Sequence, residues 1–249
     1  MSHAPEKHAV VSREQWLEAR RALLAKEKAH TRALDALNAE RLALPWVKLD
    51  KDYVFDTQTG KKTLAQLFDG RSQLMVYHFM FGPEWEAGCP GCSFLADHLD
   101  GTLPHLNNHD VTLVVASRAP LEKIAAYQRR MGWRFPWASA FESDFNHDFH
   151  VSFTPEELAG ETVDYGYVDT PVAQAHDELP GLSAFYRDAT GQVFHTYSTY
   201  ARGAEDLLST MMILDRAPLG RNEEGDMDFI RRHDEYESAP KASCCGSAA

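Results

Sequence analysis

The sequence predicts an α/β protein built on a central mixed sheet flanked by helices, and three observations carry that expectation. Residues 74–81 and 111–117 are strand-length runs that are almost continuously apolar, as strands buried on both faces are. Each run leads through a short connection into helix-patterned sequence, and the order strand, helix, strand, helix implies a βαβ unit with parallel pairing. Residues 182–198 read as an antiparallel hairpin with its turn at 188–191, where Asp188 and Gly191 supply the turn chemistry.

The 249 residues suffice for one substantial domain with additions. An apolar fraction of 44% and a charged fraction of 25% are ordinary for a soluble globular chain. The longest apolar stretches are strand-length, so no membrane span is expected. The start lacks the apolar core of a secretory signal, and a cytoplasmic location follows as the expectation. A net charge of -12 argues against a nucleic-acid binder, which needs a basic face. Three segments are expected: a helical extension at 1–45, an α/β domain at 46–216, and an extension with a flexible tail at 217–249.

In chain order, residues 12–44 form a long helix opened by a capping box, with Ser12 at the cap and Gln15 three residues on. Its apolar stripe is narrow: Trp16, Leu23 and Leu37 at seven-residue spacing, with His30 at the missing step. Such a stripe packs across its own domain or pairs two copies into a homodimer. A hairpin follows at 53–63, turning near Gly60. Thr63 and Gln66 then cap a short helix carrying Leu64, Leu67 and Phe68. The helix after Pro90 buries Phe94, Leu95 and Leu99 and stops near Gly101. A helix at 119–131 buries Leu121, Ile124, Ala125 and Tyr127 and ends at Gly132. The aromatic segment 133–149 is read as packing across a sheet end. Its Asp144, Asn146 and Asp148 lack the glycine and distal glutamate of a calcium loop. Residues 154–180 read as an acidic insertion with weak helical patches, and a closing helix spans 205–214. The stretch 221–237 holds one short helix, and the tail begins at 238.

The chemistry sits at the end of the first buried strand, where Cys89-Pro90-Gly91-Cys92 opens a helix. Pro90 fits the first helical position, where its missing N–H costs nothing, and this puts Cys89 at the N-cap. Free backbone N–H groups and the helix dipole there favour a thiolate. Cys89 is therefore the expected nucleophile and Cys92 its resolving partner, at the carboxyl edge of the sheet where α/β sites form. Glu84 and Glu86, if close in space, oppose thiolate formation. The rival is a zinc half-site, for which His98 and the tail cysteines are the only further ligands in view. Cys244 and Cys245 form an adjacent dithiol on the tail, able to exchange with the first pair or bind a soft metal. Trp85 and Pro90 are auxiliary candidates, and His78, on the central strand, is a candidate to approach the pair from beneath.

The order of elements resembles the thioredoxin fold in its peroxiredoxin-like variant. The stretches FDTQTGKKTLAQLFDG and QLMVYHFMF are similar to the opening of peroxiredoxins. MFGPEWEAGCPGCSFLADHLDG, VVASRAPLEKIAAYQRRMGWRFPWASAFESDFNHDF and FYRDATGQVFHTYSTYARG resemble a thioredoxin-like bacterial family, the domain of unknown function numbered eight-nine-nine, over residues 10–236. The resemblance implies the fold and the site; the Cys-X-X-Cys spacing, helix start and preceding buried strand point to a thiol-disulfide oxidoreductase that needs no cofactor and acts on a disulfide-bearing or thiol-bearing protein or small molecule. A thiol peroxidase, or a non-catalytic metal-binding or interaction module, are the alternatives. Two positions depart from the related patterns. The site of the thioredoxin cis-proline falls near Ser183, with Pro180 three residues early, and Glu86 stands where peroxiredoxins place Thr or Ser.

Overall fold

The computed structural model describes residues 8–223, 225 and 227–236. Its elements run α1 (Arg13–Leu42), β1 (Val47–Lys48), β2 (Val54–Thr57), β3 (Gly60–Thr63), α2 (Leu64–Leu67), β4 (Gln73–His78) and α3 (Pro90–Ala96). Then follow α4 (Leu103–Asn108), β5 (Val111–Ser117), α5 (Leu121–Met131), β6 (Trp137–Ser139), α6 (Phe145–Asp148) and α7 (Pro155–Leu158). The chain continues through β7 (Thr162–Tyr165), β8 (Val168–Pro171), β9 (Gly181–Arg187), β10 (Val193–Tyr200) and α8 (Ser209–Leu214), with 3-10 segments at Asp100–Thr102, Val172–Gln174, Ala201–Leu207 and His233–Glu235.

Among the described residues, eight strands form one mixed sheet in the order β1-β10-β9-β4-β5-β6-β2-β3. The central β4 and β5 are parallel, as two doubly buried strands joined by a helical crossover must be. β4 pairs antiparallel with β9 on its other side, and His78 stands opposite Gly181. β4 alternates between two cores: Tyr77 enters one with α3 and α5, while Leu74 and Val76 enter the other with α2 and α6.

Local chemistry sets the boundaries. Ser12 and Gln15 bond reciprocally at 3.3 and 3.0 Å to open α1, and Thr63 and Gln66 do the same at 3.3 and 2.8 Å for α2. Gly132 closes α5 in the left-handed region at φ 71°. The aromatic segment packs as expected, with Trp133, Phe135 and Trp137 buried against Phe79 and Tyr127.

Elsewhere the structure differs from the sequence expectation. Beyond the helix expected to stop near Gly101, residues 103–108 form a further helix, α4, with Pro104 in the first turn, where proline is tolerated. The segment 154–180 is folded rather than loose. Thr154 and Glu157 make a third capping box, β7 and β8 pair, and Phe153, Val163 and Tyr165 form a small core of their own. No residue of α1 is buried among the described residues, and Trp16, Leu23 and Leu37 remain 45–51% exposed. The stripe therefore does not pack across its own domain. No described helix is long and apolar enough to cross a membrane.

Candidate functional site

The site grows from the carboxyl end of β4. Residues 79–81 leave the strand but stay buried, held by Phe79 N–H to Ala116 O at 2.9 Å and Ala119 N–H to Phe81 O at 2.7 Å. The loop beyond is anchored at its middle. Lys123 Nζ donates to the carbonyls of Pro83 and Trp85 at 2.6 and 3.1 Å, and the Trp85 indole donates to Asp177 at 3.3 Å. Gly88 then passes so close to the Phe79 ring that an added Cβ would lie 2.5 Å from it, so only glycine fits. Cys89 N–H returns to Met80 O at 3.0 Å, and Pro90 begins α3 with Cys89 as its N-cap.

The two thiols of this turn are unequal. Both are free; Cys92 is buried at 3% exposure, and Cys89 is half-buried. A hydrogen bond from the Cys92 thiol lowers the Cys89 pKa from 9.0 to about 6. Burial opposes this, while the backbone N–H groups of Cys92 and Gly91 and the charge of Arg232 add to it. The sulfur makes no formal capping bond to α3, so the helix acts on it through proximity. Cys92 moves the other way. Burial pushes its pKa well above the ordinary value, as do the hydrogen bond and charge of Cys89, against weaker help from the Tyr77 hydroxyl and the Met80 N–H. The Met80 N–H lies 3.4 Å from the Cys92 sulfur.

Arg232 is a residue of the site that the sequence did not suggest. From 144 positions downstream, its Nη2 and Nε donate to the Gly88 carbonyl at 2.7 and 3.0 Å. Nε also lies 3.0 Å from the Tyr127 hydroxyl, which bonds Ser93 Oγ at 2.8 Å; Ser93 in turn donates to the Cys89 carbonyl at 2.8 Å. The carbonyls of Gly88 and Cys89 are thus fixed by one network, and the guanidinium charge lowers the Cys89 pKa. Glu235 orients Arg232 at 2.9 Å, and Arg130 holds Asp234 and Glu235 in turn. No local motif marks Arg232; its basic run Arg231-Arg232-His233 in an otherwise acidic extension is the only trace.

The remaining sequence candidates scatter. His78 faces the opposite core and stacks on Phe145 and Phe149, so it does not approach the thiols from beneath. Ser183 is on that same face, bonded to His78 Nε2 at 2.9 Å. The position beside the thiols belongs to Pro180 and Gly181, which line the same pocket as Cys89 and Cys92. Ser183 misses that face because side chains alternate along β9, where Leu182 packs on the thiol side and Ser183 on the other. Trp85 anchors the loop rather than lining the pocket, and Glu84 and Glu86 are exposed. His98 is bonded to Thr210 at 2.7 Å, and the described residues contain no group of three or more His, Cys, Asp or Glu able to hold a metal. Cys244 and Cys245 lie outside the described residues.

The thiols open into a pocket of about 320 Å³ whose walls are almost wholly apolar, formed by Tyr77, Met80, Leu95, Leu208, Met211 and Met227 among others. Pro180 and Ala201 complete it from the far side, tied together by Tyr165. Its hydroxyl donates to Pro180 O at 2.7 Å and accepts from Ala201 N–H at 2.9 Å.

The chain belongs to the family described as Bacterial protein of unknown function (DUF899), whose model matches residues 5–236. No curated protein matches it. Among solved structures, peroxidoxin BcpB of Mycobacterium tuberculosis is similar at 16% identity and TM-score 0.43, covering 69% of this chain and 96% of that one. Peroxiredoxin Q of Xanthomonas campestris is similar at 14% identity and TM-score 0.42, covering 66% and 90%. PrxQ of Xylella fastidiosa is similar at 15% identity and TM-score 0.38, covering 66% and 89%.

Proposed function

We propose that this chain is a thiol-disulfide oxidoreductase, with Cys89 the nucleophile and Cys92 the resolving thiol. The observation that carries this reading is the inequality of the pair: a half-buried sulfur held as a thiolate, beside a buried sulfur held as a thiol. At neutral pH a pKa of about 6 leaves Cys89 roughly 90% ionised, whereas an ordinary thiol is only a few per cent ionised. The Cys89 thiolate attacks a disulfide and forms a mixed disulfide, releasing one thiolate that takes a proton. That step removes the negative charge next to Cys92. The proton on Cys92 is then easier to lose, and the second thiolate attacks the Cys89 sulfur to close the Cys89–Cys92 disulfide. The raised pKa of Cys92 therefore delays its reactivity until a substrate is attached.

The test is the alkylation rate of each thiol against pH, followed by intact mass on reduced protein, together with metal analysis. The expected profile has Cys89 reacting with an apparent pKa near 6 and Cys92 protected, with no bound zinc. An ordinary thiol pKa at Cys89, or stoichiometric zinc, overturns the reading. Rapid oxidation by a hydroperoxide without exchange with any disulfide moves it to a thiol peroxidase.

A further inference from the structure

The pocket in front of the thiols says which disulfides the pair can meet. Cys89 and Cys92 form part of its wall, so a sulfur under attack by Cys89 sits at the pocket with its substituent directed along the apolar lining. A volume of about 320 Å³ lies at the small end of ligand sites and suits one compact substituent rather than a stretch of folded chain. The charged side chains on its rim already serve one another. Glu205 accepts from Arg202 at 2.7 Å and pairs with Arg221 at 2.5 Å, while Arg221 also holds Asp215 at 2.7 Å. A charged substituent would lose its hydration there and meet only counterions already engaged with one another, whereas an apolar one would leave water for an apolar wall. The wall is also preformed, because Tyr165 ties Pro180 to Ala201.

We propose that this pocket receives the apolar substituent of a low-molecular-weight organic disulfide, so that the substrate class is alkyl or aryl disulfides. The proposal rests on the reading of Cys89 as nucleophile. Cys89 attacks the sulfur whose substituent occupies the pocket; the S–S bond of the substrate breaks and the outer thiolate leaves, taking a proton from solvent. Cys92 loses its proton and attacks Cys89, and the inner group leaves as the second thiol. One substrate disulfide becomes two thiols while the dithiol becomes a disulfide, so the step consumes two electrons from the protein and one net proton.

The test uses the reduced full chain and alkyl methanethiosulfonates, which share one leaving group and differ only in the transferred substituent. Rates of Cys89 modification with benzyl, 2-sulfonatoethyl and 2-(trimethylammonio)ethyl reagents are divided by each reagent's rate with 2-mercaptoethanol. The benzyl reagent should be favoured at least tenfold over both charged ones. Ala204→Phe, which fills the pocket, should remove that preference, and Met227→Glu should turn it toward the cationic reagent. Equal corrected rates for the three reagents in the native chain, or a benzyl preference that survives both substitutions, overturn the proposal. Failure of Cys89 to outpace 2-mercaptoethanol with every reagent overturns the nucleophile reading itself, a distinct outcome.

Discussion

Tyr77 and His78 are neighbours on β4, yet their side chains lead into halves of the molecule that treat polar groups in opposite ways. Tyr77 leads to the thiol face, where Cys89 is partly open to a pocket, an arginine reaches in from far along the chain, and two identical side chains carry shifts of opposite sign. His78 leads to a sealed face. Its Nδ1 bonds Asn146 at 3.1 Å and its Nε2 bonds Ser183 at 2.9 Å; Ser183 bonds Ser198 at 2.8 Å, and Ser198 bonds His195 at 2.7 Å. Burial lowers His78 to about 4, so the ring is neutral and both nitrogens are spent on partners. A chain of histidines and serines looks chemical in a sequence, but with His78, Asn146, Ser183 and Ser198 buried and bonded to one another or to His195 it serves the packing. The thiol face instead leaves Cys89 half-buried at the wall of an apolar pocket.

Substitutions on the two faces should therefore separate cleanly. Cys89→Ser is expected to slow disulfide exchange by at least ~10³-fold, because a hydroxyl of ordinary pKa replaces a thiolate; stopped-flow oxidation of the dithiol measures it. His78→Ala should leave the Cys89 alkylation profile in place while costing about 2–4 kcal/mol of stability in urea, from the lost volume and the stranded Asn146 and Ser183. A shift in that profile would break the comparison.

The pH dependence of stability sharpens it further. Cys89 is depressed from 9.0 to about 6, so in the pH range between, the unfolded chain binds a proton that the fold does not. Its stabilising contribution is full above pH 9 and is lost as pH falls towards 6. His78 is depressed from 6.5 to about 4, and its contribution is full above pH 6.5 and lost as pH falls through 4. Urea midpoints of the reduced protein between pH 4 and 9 should show both windows, with Cys89→Ser flattening only the upper one. The smallest effect is at Arg232. Arg232→Gln should raise the Cys89 pKa by about half to one unit, with partial rescue by Arg232→Lys. The resulting loss of alkylation rate is several-fold at pH 5.5 and less than about twofold at pH 7.

What the sequence revealed and what it hid follow from the range of the interactions involved. The capping boxes at Ser12 and Thr63, the apolar runs of β4 and β5 and the Cys-Pro-Gly-Cys turn are local patterns, and each was legible within a few residues. His78 and Ser183 were mislocated because side chains alternate along a strand, and one position decides which face they join. The folded insertion was illegible because its core sets Val163 and Tyr165 of β7 against Phe153, ten residues earlier and outside that strand. Arg232 was hidden by distance alone, since nothing near it in the chain points to Gly88.

That distance has a consequence for how the protein is made. Cys89 leaves the ribosome well before Arg232, and at about 5–20 residues per second the 144 positions between Gly88 and Arg232 take on the order of ten seconds to translate. Over that interval the nascent thiol lacks both the guanidinium beside it and the clamp on its flanking carbonyl. The electrostatic setting of Cys89 is thus assembled only near the completion of the described fold, by a residue from the far end of the chain.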